Sequence, residues 1–396
     1  MKYFLEVYIE PTKHYIHVKG RIENAKDNSY YLNENFIILD SASKGEKINF
    51  FMDKTKPHPV FDVVSRPITF YTSNDEFAFE YEGNIPEIID DINQIDEDIV
   101  ELAVYSGWYP KPKDFNEVFD FELKVKMPTG YEIASNGKCI DYENITSLTK
   151  ENDIVIFASN AVERYEYIQS NIKCTFLCPS DMLQSMEQRA KDIKIANELF
   201  SQNYGELSIN GNMTEITTVL RPRGGWGYKR GNATFISAEW GRKEKEHTGD
   251  FHEFAHAWWC ISNVTTNDWI NEGGAEFSAF TAAKSIYGDD YAQKYISSCI
   301  DKIAKSDCKI SIVDTDYKSE YRFLNHYIKA TMMYIKAQQI FGENKVFDLL
   351  KKLFKTYQNT RNATTSAFLS LCDNDMKKFF EEYLFTSDWN ELEYKI

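Results

Sequence analysis

The residues with the clearest capacity for chemistry are His252, Glu253 and His256, which stand in one short run, HEFAH. Residues four apart lie above one another on a helix face, so both imidazoles can reach a single Zn²⁺. Glu253 points about 100° around the helix from His252, which places its carboxylate beside the metal. A carboxylate in that place can act as the general base toward a metal-bound water. The run therefore predicts a catalytic zinc site on a helix.

A third ligand is expected from Glu272, which follows at the start of the next helical pattern. A Glu in the first turn of a second helix, packed on the first, can complete a His₂Glu site and leave the fourth position open to water. A purely structural zinc would usually close with Cys, and Cys260 could reach the metal only if Glu272 does not. We therefore predict one Zn²⁺ per chain, bound by His252, His256 and Glu272.

The elements that must position these residues follow from a change in apolar periodicity along the chain. The first ~170 residues alternate at period two between Gly and Asn turns, which predicts an antiparallel β domain, a sandwich or saddle of sheets. After Pro179 the spacing becomes helical, around a small sheet at 216–220 and 233–236. The candidate helices are 181–204, 251–262, 269–287, 290–305, 318–341, 343–357, 365–372 and 375–384. We predict an α+β protein with a β domain at 1–168 and a mostly helical catalytic domain at 169–396.

Composition argues against two classes of partner. The chain has 396 residues, of which 43% are hydrophobic, enough for a folded core and two or three domains. Its net charge of -16 is dispersed and would repel phosphate backbones and anionic lipid. No apolar run approaches the ~20 residues that a bilayer span needs. We therefore expect neither nucleic acid nor membrane as a partner.

The predicted location is the cytoplasm. The first twenty residues read as a strand and lack a basic region followed by an apolar one, so we expect no secretory signal. The seven cysteines are odd in number and irregular in spacing, which favours buried free thiols in a reducing compartment over a disulfide framework.

At the zinc residues the sequence resembles the aminopeptidase N-like family of gluzincin zinc metallopeptidases, which includes alanyl aminopeptidase. The resemblance is carried by HEFAHAWW at 252–259 and DWINEG at 268–273. These are similar to the family's HExxH-x-W and W-L-N-E-G. The segment YIKA at 327–330 looks like the family's Tyr-Glu-Lys-Gly. The sequence ends soon after the catalytic region, so the resemblance is to a short form without the C-terminal helical domain.

The resemblance implies a saddle-shaped N-terminal β domain and a thermolysin-like catalytic domain. It implies that His252, His256 and Glu272 are zinc ligands and that Glu253 is the base. Tyr327 would donate a hydrogen bond that stabilises the oxyanion of the tetrahedral intermediate. The implied activity is hydrolysis of peptide bonds in a peptide or protein through zinc-activated water, with an aminopeptidase as the default subtype.

One departure from the family keeps the subtype open. The family's Gly-x-Met-Glu-Asn segment, whose Glu grips the substrate's α-amine, is replaced here by a Gly-rich run at 224–232. Within it Gly225, Gly227 and Tyr228 are the candidate substrate-binding residues, because a Gly-rich edge can still pair with a peptide as an added strand. Without a Glu for the amine, an endopeptidase of the same fold is an alternative. A decayed peptide-binding module is another, against which the intact zinc set argues. Arg221 is expected to bind a substrate carboxylate or to form a structural salt bridge.

Overall fold

The computed structural model describes residues 1–56, 65–85, 94–114, 117–141, 143–148, 150–169, 172–206, 214–222, 227–238, 248–358 and 360–389. The chain divides into two compact units. The first unit is Met1–Met186 with Asn212–Lys243, and the second is Glu187–Gly211 with Glu244–Ile396. The predicted domain boundary at 168/169 stays a prediction, because compact packing units need not coincide with domains.

The largest sheet of the first unit contains eight strands among the described residues. They are β1 (Lys2–Glu10), β2 (Tyr15–Glu23), β4 (Ile37–Ser43), β5 (Glu46–Lys47), β8 (Phe77–Asn84), β12 (Asp120–Lys126), β14 (Lys138–Cys139) and β15 (Asn144–Thr146). Their order is β14-β15-β12-β1-β2-β8-β4-β5. In β1 the alternate residues Tyr3, Leu5, Val7 and Ile9 are buried, as the period-two pattern requires.

Two four-stranded sheets complete the core of the β domain. One holds β3 (Ser29–Asn33), β6 (Phe50–Met52), β7 (Ser65–Phe70) and β11 (Lys111–Pro112) in the order β11-β3-β7-β6. The other holds β9 (Gln94–Ile95), β10 (Ile99–Leu102), β13 (Glu132–Ala134) and β16 (Ile156–Ser159) in the order β13-β16-β10-β9. Aromatic rings fill the space enclosed by these strands, including the buried Tyr81, Trp108 and Phe121.

A mixed five-stranded sheet also belongs to the first unit. Its strands are β17 (Glu163–Gln169), β18 (Ile172–Cys178), β19 (Thr214–Arg221), β20 (Tyr228–Arg230) and β21 (Ala233–Ser237), in the order β17-β18-β19-β21-β20. The three central strands are parallel, and β20 pairs antiparallel with β21 at the edge. The two strands predicted for a small sheet at 216–220 and 233–236 are thus found in β19 and β21.

From Leu183 onward the described residues form helices and the loops that connect them, apart from the strands β19–β21. They are α1 (Leu183–Tyr204), α2 (Thr248–Ala255), α3 (Asp268–Tyr287), α4 (Asp289–Ala304), α5 (Ala330–Phe341), α6 (Glu343–Tyr357), α7 (Thr365–Ser370) and α8 (Asn374–Phe385). A π-helical segment, Phe323–Lys329, leads directly into α5. Helix α3 is buried along most of its length, because it packs against α2, α4, α5 and the π segment.

The predicted fold class is confirmed, with β sheets followed by a mostly helical region, but two predicted helices differ in detail. The helix predicted at 251–262 ends at Ala255. Beyond that point the N–H groups of Ala257 and Trp258 bond to carbonyls three residues back, which tightens the last turns. The helix predicted at 318–341 begins at Phe323, and its first seven residues are π-helical.

The structure bears on two further predictions, one about membrane spans and one about the cysteines. No helix in the described ranges is long and apolar enough to cross a bilayer. None of the seven cysteines forms a disulfide. Cys174, Cys178, Cys299 and Cys308 are buried, as predicted, whereas Cys139 and Cys260 are exposed and Cys372 lies between.

Candidate metal centre

The three predicted zinc ligands converge in the second unit. His252 lies in α2, His256 in the tight turn that follows it, and Glu272 in the second turn of α3. The Nε2 atoms of both imidazoles stand 3.3 Å from Oε2 of Glu272. Their three ligand atoms all lie within 4.8 Å of one another, and among the described residues no other set of His, Cys, Asp or Glu side chains does so.

These distances suit one tetrahedral ion. Ligand atoms about 2.1 Å from such an ion are roughly 3.4 Å apart. Oε2 of Glu272 is buried and accepts no hydrogen bond from the described residues. A buried carboxylate oxygen that accepts no hydrogen bond is costly, and such groups in folded proteins call for a specific explanation. A cation between the three atoms satisfies the oxygen, so the residues present fit a zinc ion.

The remaining nitrogens of the two imidazoles are held by fixed acceptors. Nδ1 of His252 lies 2.8 Å from Oε2 of Glu276, and the Tyr295 hydroxyl donates to Oε1 of the same carboxylate at 2.7 Å. Nδ1 of His256 lies 3.0 Å from the backbone oxygen of Trp259. With Nδ1 of each ring as the donor, Nε2 is left as the ligand atom, directed to the centre. Sequence reasoning missed Glu276, although its place one helical turn after Glu272 could have revealed it.

The other oxygen of Glu272 is engaged by Arg322. Its Nη2 donates to Oε1 of Glu272 at 2.8 Å, while its Nε donates to Oδ2 of Asp268 at 2.9 Å. Asp268 and Glu272 are one turn apart on α3, so a single guanidinium spans both carboxylates. No spacing or motif in the sequence distinguishes Arg322 from other arginines, and it was not predicted.

Tyr327 lies beside His252, one of the predicted ligands. Its ring stacks on the imidazole with centroids 5.3 Å apart and planes 11° apart, and Phe323 packs against it at 5.1 Å. Burial raises the pKa of Tyr327 well above its ordinary value, and the charge of Glu272 raises it further. The hydroxyl therefore keeps its proton and can serve as a hydrogen-bond donor.

The predicted base, Glu253, is buried in α2 next to the first ligand. Its side chain is close enough to Tyr327 for its charge to contribute, after burial and Glu272, to the raised pKa of that tyrosine. The structure thus brings together all five residues predicted from the zinc motif and its surroundings.

The charged groups of the cluster shift the pKa values of one another. Burial alone would lower the pKa of His252, but the carboxylates of Glu272 and Glu276 more than offset this and hold it well above its usual value. Burial would raise the pKa of Glu272, but the two imidazoles more than offset this and hold it well below its usual value. The centre therefore favours positive charge.

Two glycines after Glu272 let the surrounding elements approach α3. A Cβ on Gly273 would lie 2.5 Å from the Cβ of Ala330, and one on Gly274 would lie 2.6 Å from the indole of Trp259. Any larger residue would push away either the segment that carries Tyr327 or the turn that carries His256. A buried ion pair between Arg189 and Asp250 connects α1 to the first turn of α2.

The predicted substrate-binding residues lie in the first unit. Gly225 lies outside the described residues, and Gly227 is half-buried just before β20. Tyr228 is buried in β20, where its hydroxyl donates to Oε1 of Glu101 at 2.8 Å. Arg221 forms a fully buried salt bridge with Glu101, at 3.0 Å, so of its two expected roles the structural one is present.

No protein-family profile matches this sequence, and no curated protein matches it either. Similarity appears when the fold is compared with solved structures. An M1 zinc metallopeptidase from Deinococcus radiodurans, solved as a mutant with a bound Tyr-Ser-Ala substrate, is 12% identical. The match covers 98% of this chain and 94% of that one, with a TM-score of 0.76.

Two further structures have the same fold. An aminopeptidase N family protein from Idiomarina loihiensis is 12% identical over 97% of this chain and 76% of that one, with a TM-score of 0.72. Leukotriene A4 hydrolase from Saccharomyces cerevisiae is 13% identical over 98% of this chain and 68% of that one, with a TM-score of 0.69. The chain therefore has the fold of the M1 zinc metallopeptidases, as the sequence resemblance implied.

Proposed function

We propose that the protein is a zinc metallopeptidase whose metal is bound by His252, His256 and Glu272. The observation that carries the proposal is the buried Oε2 of Glu272, which has no hydrogen-bond partner among the described residues and lies 3.3 Å from both imidazoles. Two His and one Glu with an open fourth position are typical of catalytic zinc. When bound, the zinc would lower the pKa of a water and polarise a substrate carbonyl.

The neighbouring side chains supply the proton transfers that peptide hydrolysis needs. Glu253, one residue after the first ligand, takes a proton from the attacking water and returns it to the leaving amine. Tyr327 keeps its proton and donates a hydrogen bond to the oxyanion of the tetrahedral intermediate. A peptide substrate is supported by the Deinococcus enzyme of the same fold, which was solved with a tripeptide bound.

We propose an aminopeptidase as the subtype, because an aminopeptidase N family protein has this fold. In that case Gly225, Gly227 and Tyr228 belong to the edge that receives the peptide backbone. The alternative is an endopeptidase, favoured by the lack of a Glu in the run at 224–232 that could bind an α-amine. A cytoplasmic location is proposed from the cysteines, none of which forms a disulfide, and the lack of a nucleic-acid partner from the acidic net charge.

The test is a cleavage assay on a mixture of unblocked peptides and their N-acetylated twins, read by mass spectrometry after zinc loading. Glu253→Gln is expected to abolish turnover while still binding one zinc, and Glu343→Gln, an exposed change on α6, to leave turnover intact. An aminopeptidase would be supported if single N-terminal residues were removed from the unblocked peptides and not from the acetylated ones. Internal cuts in both sets would favour the endopeptidase. Equal behaviour of wild type and Glu253→Gln would overturn the peptidase and leave the peptide-binding module.

A further inference from the structure

We propose that Arg322 is a positioning residue that sets which oxygen of Glu272 faces the metal, an inference that rests on the zinc site proposed above. A carboxylate can offer either or both of its oxygens to a cation. In this structure the choice is made by a hydrogen bond, because Nη2 of Arg322 donates to Oε1 at 2.8 Å. Oε2 is thereby left to face the two imidazoles.

The guanidinium is itself anchored, so its position does not depend on Glu272. Its Nε donates to Oδ2 of Asp268 at 2.9 Å, and Asp268 is almost fully buried. A planar fork that binds two carboxylates at once is fixed in orientation as well as in place. A lysine at this position would offer a single ammonium, which could not reproduce both contacts.

Arg322 also contacts the predicted oxyanion donor. The centre of its guanidinium lies 5.5 Å from the ring centroid of Tyr327, and the same ring stacks on His252. A cation near an aromatic face is attracted to it. One side chain therefore touches both a metal ligand and the tyrosine, and its loss should change zinc binding and kcat while leaving KM nearly unchanged.

The experiment measures zinc affinity by competition with a chromophoric chelator in wild type, Arg322→Gln and Arg322→Lys. We expect Arg322→Gln to bind zinc about 10–100-fold more weakly, as is usual when a group that orients a ligand is removed. Arg322→Lys should recover only part of this loss. Lys345→Gln, which removes a cation paired with Asp373 on the surface, is the control and should bind zinc like wild type.

Cobalt substitution supplies a readout that a merely structural role would not change. The visible absorption of bound Co²⁺ reports its coordination number, and we expect it to shift in Arg322→Gln because Oε1 becomes free to join the metal. Unfolding of the metal-free variants is followed in parallel, and Arg322→Lys serves if Arg322→Gln does not fold. Unchanged zinc affinity and cobalt spectra in both variants would overturn the role of Arg322 alone. A wild-type protein that binds no zinc would overturn the proposed function and this inference with it.

Discussion

Two buried charged clusters, one in each compact unit, differ in how their polar atoms are paired. In the first unit, Oε1 of Glu101 accepts hydrogen bonds from Arg221 at 3.0 Å and from Tyr228 at 2.8 Å, and both members of the ion pair are fully buried. In the second unit, the two imidazoles and Glu272 face a common centre, and one carboxylate oxygen accepts no hydrogen bond from the described residues.

The difference separates stabilisation from binding. A cluster whose charges are paired with one another stabilises the fold, and removing one member breaks a buried ion pair. A cluster that leaves a buried acceptor unused is costly to maintain unless something binds there. Mutations in the first cluster should therefore lower the free energy of unfolding of the protein. Mutations in the second cluster should lower its zinc content.

The largest effect is expected from His256→Ala, which removes a ligand from the second cluster. Zinc should fall from one per chain toward none, measured by mass spectrometry of the metal after dialysis, and peptide cleavage should fall to the blank rate. His17→Ala, on a strand where His17 pairs with Glu80, is the control and should retain both zinc and activity. Retention of a full zinc equivalent in His256→Ala would remove the basis for the comparison.

In the first cluster, Glu101→Gln should lower the free energy of unfolding by about 3–5 kcal/mol, because it breaks a fully buried ion pair with Arg221. Denaturant unfolding measures the change, and zinc content should stay at the wild-type value. Glu122→Gln, which breaks an exposed pair with Lys2, should cost less than about 1 kcal/mol. Similar costs for the two variants would mean that the buried pair contributes no more than a surface one.

The group that orients His252 offers a smaller effect in the second cluster. Glu276→Gln should weaken zinc binding about 10–100-fold, because the imidazole loses the carboxylate that fixes its ring orientation. Chelator competition gives the affinity. Glu381→Gln, at a half-exposed position on α8, is the control and should leave the zinc affinity unchanged. An unchanged zinc affinity in Glu276→Gln would mean that packing alone orients the His252 ring.

The smallest effect is expected where neither cluster is involved. The side chain of Thr364 caps α7 by accepting from the N–H of Ala367 at 3.1 Å, so Thr364→Ala should cost about 1 kcal/mol of unfolding free energy. Thr356→Ala, at an exposed position inside α6, should stay within about 0.5 kcal/mol. Zinc affinity should not change in either variant. If either variant changed the zinc affinity, zinc binding would depend on the general stability of the protein. Zinc affinity would then not distinguish the second cluster from the first.

Much of this arrangement could be predicted from the sequence, because it depends on local periodicity. The four-residue spacing of His252 and His256 and the helical onset at Glu272 were enough to predict a His₂Glu cluster. The period-two alternation predicted the β sheets, since one face of each strand packs on the core.

The rest depends on tertiary contacts that no local pattern encodes. Helix α2 ends at Ala255 although the apolar pattern continues, and the buried indoles of Trp258 and Trp259 follow in tightened turns. Tyr295 and Arg322 reach the cluster from other elements, so their sequence distance carries no signal. The buried pair of Glu101 and Arg221 joins residues 120 positions apart in the chain.

Because of the π segment Phe323–Lys329, the chemistry of the metal centre depends on the number of residues in this stretch as well as on their side chains. A π turn holds an extra residue, so deleting one residue could return the segment to ordinary α spacing. Each residue of an α-helix turns the chain by about 100°. A deletion between Phe323 and Tyr327 would swing Arg322 away and keep the tyrosine in phase with α5, whereas one at Ile328 would swing both. A single lost codon would thus remove from the metal centre Arg322 alone, or Arg322 together with Tyr327, depending on which side of Tyr327 it falls.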